Sequence, residues 1–213
     1  MPLAVDRYEL GPSRTNCYVV RADRAAEEAV VIDPGADAVE LRLQLARTGA
    51  RCVAILVTHT HYDHIGAVAE LAEATGAPVY AAAGEAFVLE RPDDVYAALG
   101  IRIRGHRPDV QLQGDETLEV AGLRFETLPV PGHSPFHLAF AVAGALFSGD
   151  VLFAGSVGRV DLPGGDWETL LGSIRTLAGR FAAGTVVYAG HGPPTTLGDE
   201  LAHNPFLAEL RAS

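Results

Sequence analysis

Lysine is absent from all 213 residues, so the sixteen cationic side chains are all arginine, and 27 acidic residues set the formal charge at −11. A chain this acidic lacks the basic surface that a phosphate backbone needs, although bound divalent cations would offset part of the charge locally. Nucleic acid is therefore not the expected partner. Cysteine is nearly as scarce: Cys17 and Cys52 each lie inside an apolar strand-like run, the setting of a reduced buried thiol, and no disulfide is expected. Long apolar runs are also missing. None approaches the ~18 residues of a membrane span, and Met1-Pro2-Leu3-Ala4-Val5-Asp6-Arg7 has neither the basic n-region nor the apolar h-region of a signal peptide. The expectation is a soluble, cytoplasmic protein without a membrane partner.

What is present has globular composition, with 48% apolar and 20% charged residues. The length fits one domain spanning residues 1–213. Strand-like runs at 4–10, 16–21 and 29–33 lead to Asp33-Pro34-Gly35, a helix over 37–47 stopped by Thr48-Gly49, and a buried strand at 52–57. A second helix is predicted over 65–74, then a short strand from Pro78. The stretch 85–107, broken by Arg91-Pro92-Asp93-Asp94, has no clean period and reads as a solvated connection, with a mobile flap over a site as the alternative. Strand patterning returns at 117–120, 123–128, 137–143 and 145–148, with hairpin turns at Ala121-Gly122 and Ala143-Gly144. A Gly-rich loop over 154–165 precedes a helix over 167–181 capped by Asp166. A strand at 185–189 and a terminal helix over 198–210, interrupted at Asn204-Pro205, complete the chain.

The stretch Thr58-His59-Thr60-His61-Tyr62-Asp63-His64-Ile65-Gly66 packs four potential metal ligands into six residues, between the buried strand and the second helix. In an extended turn His59, His61 and Asp63 point to one side, and a change to helix at Asp63 or His64 swings His64 round to meet them. Two pairs then face a shared space, which fits two adjacent metals. Three further candidates, His133, Asp150 and His191, each follow a strand-like run beside a glycine, where open sheets place binding groups. His59, His61 and His133 make one three-ligand site with an open position; Asp63, His64 and His191 make a second, and Asp150 is left to bridge them. His106, His137 and His203 are expected at the polar surface or behind the ligands.

These residues, in this order, resemble the metallo-β-lactamase superfamily, and the resemblance runs from Asp33-Pro34-Gly35 to Asn204-Pro205-Phe206. It implies an α/β fold of the αββα type, two mixed β-sheets packed face to face with helices outside. Gly149-Asp150-Val151-Leu152-Phe153, Gly155-Ser156-Val157-Gly158-Arg159 and Gly190-His191-Gly192-Pro193-Pro194 are most similar to the glyoxalase II-like group, in particular its short bacterial hydroxyacylglutathione-hydrolase-like members. No counterpart of the C-terminal helical domain with which full-length members hold glutathione is expected within these 213 residues. Arg159 is the one basic residue at a glutathione-contacting position, so it is the substrate-binding candidate and the thiol carrier stays open.

The resemblance implies a dinuclear metal-dependent hydrolase of small thioesters such as S-lactoylglutathione. The chemistry agrees: water between two divalent ions is a hydroxide near neutral pH, and a thiolate leaves without a strong general acid. Asp63 is the catalytic candidate, orienting the nucleophile as well as binding metal. The imidazole and carboxylate donors suit zinc, iron and manganese alike, and two zinc ions are the expected pair. A persulfide dioxygenase of the same fold, with one iron on His59, His133 and Asp150, is the alternative. A nuclease would need a basic exosite that the sequence lacks, and a non-catalytic, metal-stabilised interaction module would not need an intact ligand set. The natural acyl group and the oligomeric state are not legible.

Overall fold

Apolar runs buried on both faces dictate the layering. In the computed structural model, which describes residues 2–211, the first sheet takes β1 (Ala4–Leu10), β2 (Thr15–Arg21), β3 (Glu28–Ile32), β4 (Arg51–Leu56), β5 (Val79–Ala82) and β6 (Val110–Leu112) in that spatial order. Its first two pairings are antiparallel and the other three parallel. The second sheet uses β7 (Thr117–Val120), β8 (Leu123–Pro129), β9 (Leu138–Val142) and β10 (Ala145–Gly149); a two-stranded ribbon of β11 (Leu152–Phe153) and β12 (Ser156–Val157) stands apart. The strands β13 (Val186–Ala189) and β14 (Thr195–Thr196) then extend the second sheet to the order β14-β13-β10-β9-β8-β7. The helices are α1 (Ala38–Thr48), α2 (Tyr62–Ile65), α3 (Val68–Thr75), α4 (Ala86–Glu90), α5 (Asp93–Tyr96), α6 (Trp167–Arg180), α7 (Leu197–His203) and α8 (Ala208–Arg211).

The period of two along each strand divides the core. On β2, Cys17 and Val19 face α1 and α3, packing with Leu41 and Leu71. Between them, Tyr18 and Val20 face the second sheet and meet Phe125, Phe140 and Phe147. On the far side of that sheet Ala139, Ala141, Leu146 and Val187 pack under Leu170, Leu171, Ile174 and Leu177 of α6. The result is the helix–sheet–sheet–helix sandwich. Cys17 and Cys52 are both free and buried. Among the described residues no helix is long and apolar enough to cross a membrane.

Two expectations are corrected. The helix expected over 65–74 is two helices, α2 and α3, parted at Ala67 (φ −108°, ψ 1°), where the neighbouring Gly66 passes close to Gly35. A Cβ on Gly66 would lie 2.2 Å from the Gly35 carbonyl oxygen, and one on Gly35 would overlap the Asp63 carbonyl. The stretch 85–107 is not merely a solvated connection. It begins with the single-turn helices α4 and α5, too short to print a period, and buries Tyr96, whose hydroxyl donates to the Thr60 carbonyl at 2.8 Å.

Two parallel pairings place the site. Ile32 pairs with Leu56 across β3 and β4, and Gly149 with Ala189 across β10 and β13. Asp33 and Thr58 therefore leave one sheet side by side, as Asp150 and His191 leave the other. Backbone bonds join these exits: Leu138 donates to Thr58, Gly190 to Gly149, and Asn16 to Gly190, at 2.7–2.8 Å.

Candidate metal centre

The strand β4 ends at Leu56, and the ligands follow in a turn that becomes helical at Tyr62, one residue earlier than expected, with His61 at the N-cap. Asp63 and His64 thus project from the first turn of α2, while His59 and His61 project from the extended approach to it. The loops after β8, β10 and β13 supply His133, Asp150 and His191.

All seven side chains come to one place. His61 Nδ1 lies 3.1 Å from His59 Nε2 and 2.8 Å from His133 Nε2. In the second group His191 Nε2 is 3.3 Å and His64 Nε2 4.0 Å from Asp63 Oδ2. Asp150 lies between: its Oδ2 is 3.5 Å from both His133 Nε2 and His191 Nε2, and its Oδ1 is 3.3 Å from His64 Nε2. Donors around a tetrahedral ion at 2.0–2.1 Å stand about 3.3 Å apart, so both groups have the spacing of a ligand set. His64 Nε2 and Asp150 Oδ1 are buried and, though close, are not aligned for a hydrogen bond. A buried polar atom without a partner is costly, and two divalent ions would satisfy both. The cluster therefore fits a dinuclear metal site.

The atoms behind the ligands fix their tautomers. The His133 Nδ1–H donates to the Arg159 carbonyl at 2.8 Å, which leaves Nε2 as a lone pair. Asp33, buried with φ of 52°, accepts from the Thr58 amide, the Thr58 hydroxyl and His64 Nδ1. Because the Thr58 proton is committed to Asp33, its oxygen accepts from His59 Nδ1 at 3.1 Å. One carboxylate thus sets both His59 and His64 with Nε2 toward the metals. Thr15 donates to Asp63 Oδ2 at 2.8 Å, and Gly190 gives Asp150 room, since a Cβ there would lie 2.0 Å from Asp150 Oδ1.

His137 is not at the surface. It is fully buried, stacks on His59 with ring centroids 4.6 Å apart, and accepts the Asp150 amide proton at Nε2. His203 is exposed, and His106 sits near Asp109 away from the cluster. Arg159 reaches the centre only through its carbonyl; its exposed guanidinium pairs with Asp161 at 2.7 Å. Asp33, Glu85 and Tyr96 were not among the candidates read from the sequence. Only Asp33 left a signal there, a carboxylate in an Asp-Pro-Gly turn directly after a strand.

The two groups hold protons differently. Burial, reinforced by its histidine neighbours, keeps His59 well below the ordinary imidazole range and brings His61 to about 4. Burial opposes the charge of His191, but hydrogen bonds to Asp150 and Asp63 lift it to about 9. Burial likewise opposes the ionised Asp63, yet the His191 hydrogen bond, the charge of His64 and Thr15 hold it at about 2. Asp150 and Asp33 raise His64 against its burial. Metal uptake by the Asp63–His64–His191 group must therefore expel protons that the His59–His61 pair does not carry. With His191 raised from 6.5 to about 9, affinity at that group rises with pH across this window and levels off above it. Calorimetric metal titration near neutral pH, in buffers of different ionisation enthalpy, is expected to show release of at least one proton for one of the two ions. Proton-neutral binding of both would contradict the charged His191.

Comparison with known proteins gives the family of the chain. Residues 10–191 match the Metallo-beta-lactamase superfamily. The hydroxyacylglutathione hydrolase GloC of Haemophilus influenzae is 36% identical over 197 residues, 90% of this chain and 92% of that protein. Among solved structures, the BLEG-1 B3 metallo-beta-lactamase superposes with a TM-score of 0.90 at 40% identity, covering 96% of this chain and 100% of that one. TTHA1623 in a di-iron-bound form superposes with a TM-score of 0.85 at 41% identity, covering 95% and 100%.

Proposed function

We propose that this chain, which belongs to the metallo-beta-lactamase superfamily, hydrolyses small thioesters such as S-lactoylglutathione as one domain over residues 1–213. Metal-dependent hydrolysis is the activity of the class; the thioester is the finer reading. One observation carries it: two three-donor groups share the Asp150 carboxylate, and Asp63 stands ionised beside His191 and His64.

Two bound divalent ions would supply a hydroxide at neutral pH and a Lewis acid for the substrate carbonyl. His59, His61 and His133 would hold one, Asp63, His64 and His191 the other, and Asp150 both; zinc is the proposed metal, with iron or manganese fitting the same donors. Asp63, oriented by Thr15, remains a carboxylate throughout the working range and can accept the proton of the attacking water. His191 is partly open to solvent and Asp63 lies beside it, so the acyl group is placed to enter from that side. A thiolate departs without protonation, which suits a centre whose imidazoles are committed as ligands. Arg159 is the proposed contact for an anionic carrier, on condition that the carrier displaces Asp161.

The similarity to GloC supports the thioester, and that to BLEG-1 makes the β-lactam ring the competing substrate. A screen of the metal-loaded protein against S-lactoylglutathione, a chromogenic β-lactam and glutathione persulfide with oxygen monitoring separates the readings. The expected result is thioester hydrolysis with kcat/KM on the order of 10⁴ M⁻¹ s⁻¹ or more. Oxygen uptake on the persulfide without thioester hydrolysis would replace it with the dioxygenase.

A further inference from the structure

We propose that Glu85 is a positioning residue for one of the two metals: it sets the distance between the segments carrying the His59–His61–His133 trio and leaves the other group untouched. Its carboxylate is buried, 5% exposed, and faces donors from two directions. Oε2 accepts the Thr60 amide at 2.6 Å and the Thr60 hydroxyl at 2.9 Å, while Oε1 accepts the Ser134 hydroxyl at 2.5 Å. Thr60 lies between His59 and His61, and Ser134 follows His133. Each oxygen therefore addresses one side of the contact at which His61 Nδ1 and His133 Nε2 stand 2.8 Å apart.

Apart from Glu85, the segments also meet through the Leu138 amide on the Thr58 carbonyl and the His137 ring on His59. The segments leave different sheets, one after β4 and the other after β8, and no strand pairing joins those two strands. Beside Glu85, Gly84 lies so close under the Phe136 ring that a Cβ would overlap it, and Tyr96 steadies the Thr60 carbonyl at 2.8 Å. Among the described residues no arginine or histidine pairs with Glu85, so its two oxygens are met by the Thr60 and Ser134 donors alone. An amide replaces it only by reversing one contact, the Ser134 hydroxyl turning from donor to acceptor. Glutamine carries one acceptor oxygen and one NH2, so only one segment keeps an acceptor. The Asp63–His64–His191 group hangs instead from Thr15, Asp33 and the His191 loop, where Asn16 donates to the Ala189 and Gly192 carbonyls. None of these groups touches Glu85.

The inference rests on the two-metal reading, and its test keeps the two apart. Zinc affinity is measured by chelator competition in two backgrounds: His191→Ala, which leaves the trio, and His61→Ala, which leaves the other group. Glu85→Gln is expected to weaken zinc by about 10–100-fold in the first background and to leave the second unchanged. Ser134→Ala, which removes one hydroxyl and little volume, repeats the comparison should Glu85→Gln not fold. Equal weakening in both backgrounds, or none in the first, would overturn the role given to Glu85. An unsubstituted protein that binds fewer than two ions would overturn the dinuclear reading instead, whatever Glu85 does.

Discussion

Asp150→Ala is expected to abolish binding of both metals and to lower kcat/KM by about 10³-fold or more, since several kcal/mol of transition-state stabilisation come from such ions. Among the described residues the Asp150 carboxylate is the one that ion-pairs with histidines of both groups. Its Oδ2 stands 3.5 Å from His133 on one side and from His191 on the other, and Oδ1 looks toward His64. Burial works against an ionised carboxyl here, yet the charge of His64 and the His191 hydrogen bond hold Asp150 well below the usual carboxylate range. It therefore enters metal binding already ionised. Loss of this charge leaves His64 and His191 with one fewer counter-ion and both groups one donor short. Metal content after dialysis and thioester turnover read the effect together. Retention of one tightly held ion in the variant would show that Asp150 serves one group and not both.

Asp33→Ala is expected to lower stability by about 3–5 kcal/mol, the usual loss when one member of a buried charged network is removed. At roughly 2–4 °C per kcal/mol for a chain of this size, the melting temperature falls by roughly 6–20 °C. The variant strands the Thr58 amide, the Thr58 hydroxyl and the His64 Nδ1–H, each buried and each satisfied by this carboxylate. It also frees His59 and His64 to take the wrong tautomer, so metal affinity falls with stability. Thermal unfolding of the metal-free protein checks the first effect. A shift of less than about 2 °C would mean that water replaces the carboxylate and that the network has been over-read.

The ligands were legible because each is marked locally. Four crowd into a single turn, and His133, Asp150 and His191 each follow a strand and adjoin glycine. What holds them was not, because its partners are far apart in the chain. Glu85 meets Thr60 across 25 positions and Ser134 across 49, within a stretch of one-turn helices that has no period to read. His137 sits at the edge of an apolar strand, where nothing in the sequence tells a ring stacked on His59 from a polar edge residue. Arg159 drew attention for its charge, yet what reaches the centre is its carbonyl, which every residue type has. The sandwich followed from the family resemblance and the strand order, and the alternation of Cys17, Tyr18, Val19 and Val20 shows why both faces of β2 had to be covered.

The most direct test of the central claim is the number of metal ions held per chain after reconstitution and exhaustive dialysis. A dinuclear centre on His59, His61, His133, Asp63, His64, His191 and Asp150 predicts close to two, falling to one in His191→Ala. A single ion per chain in the unsubstituted protein, at metal concentrations that saturate activity, would contradict it.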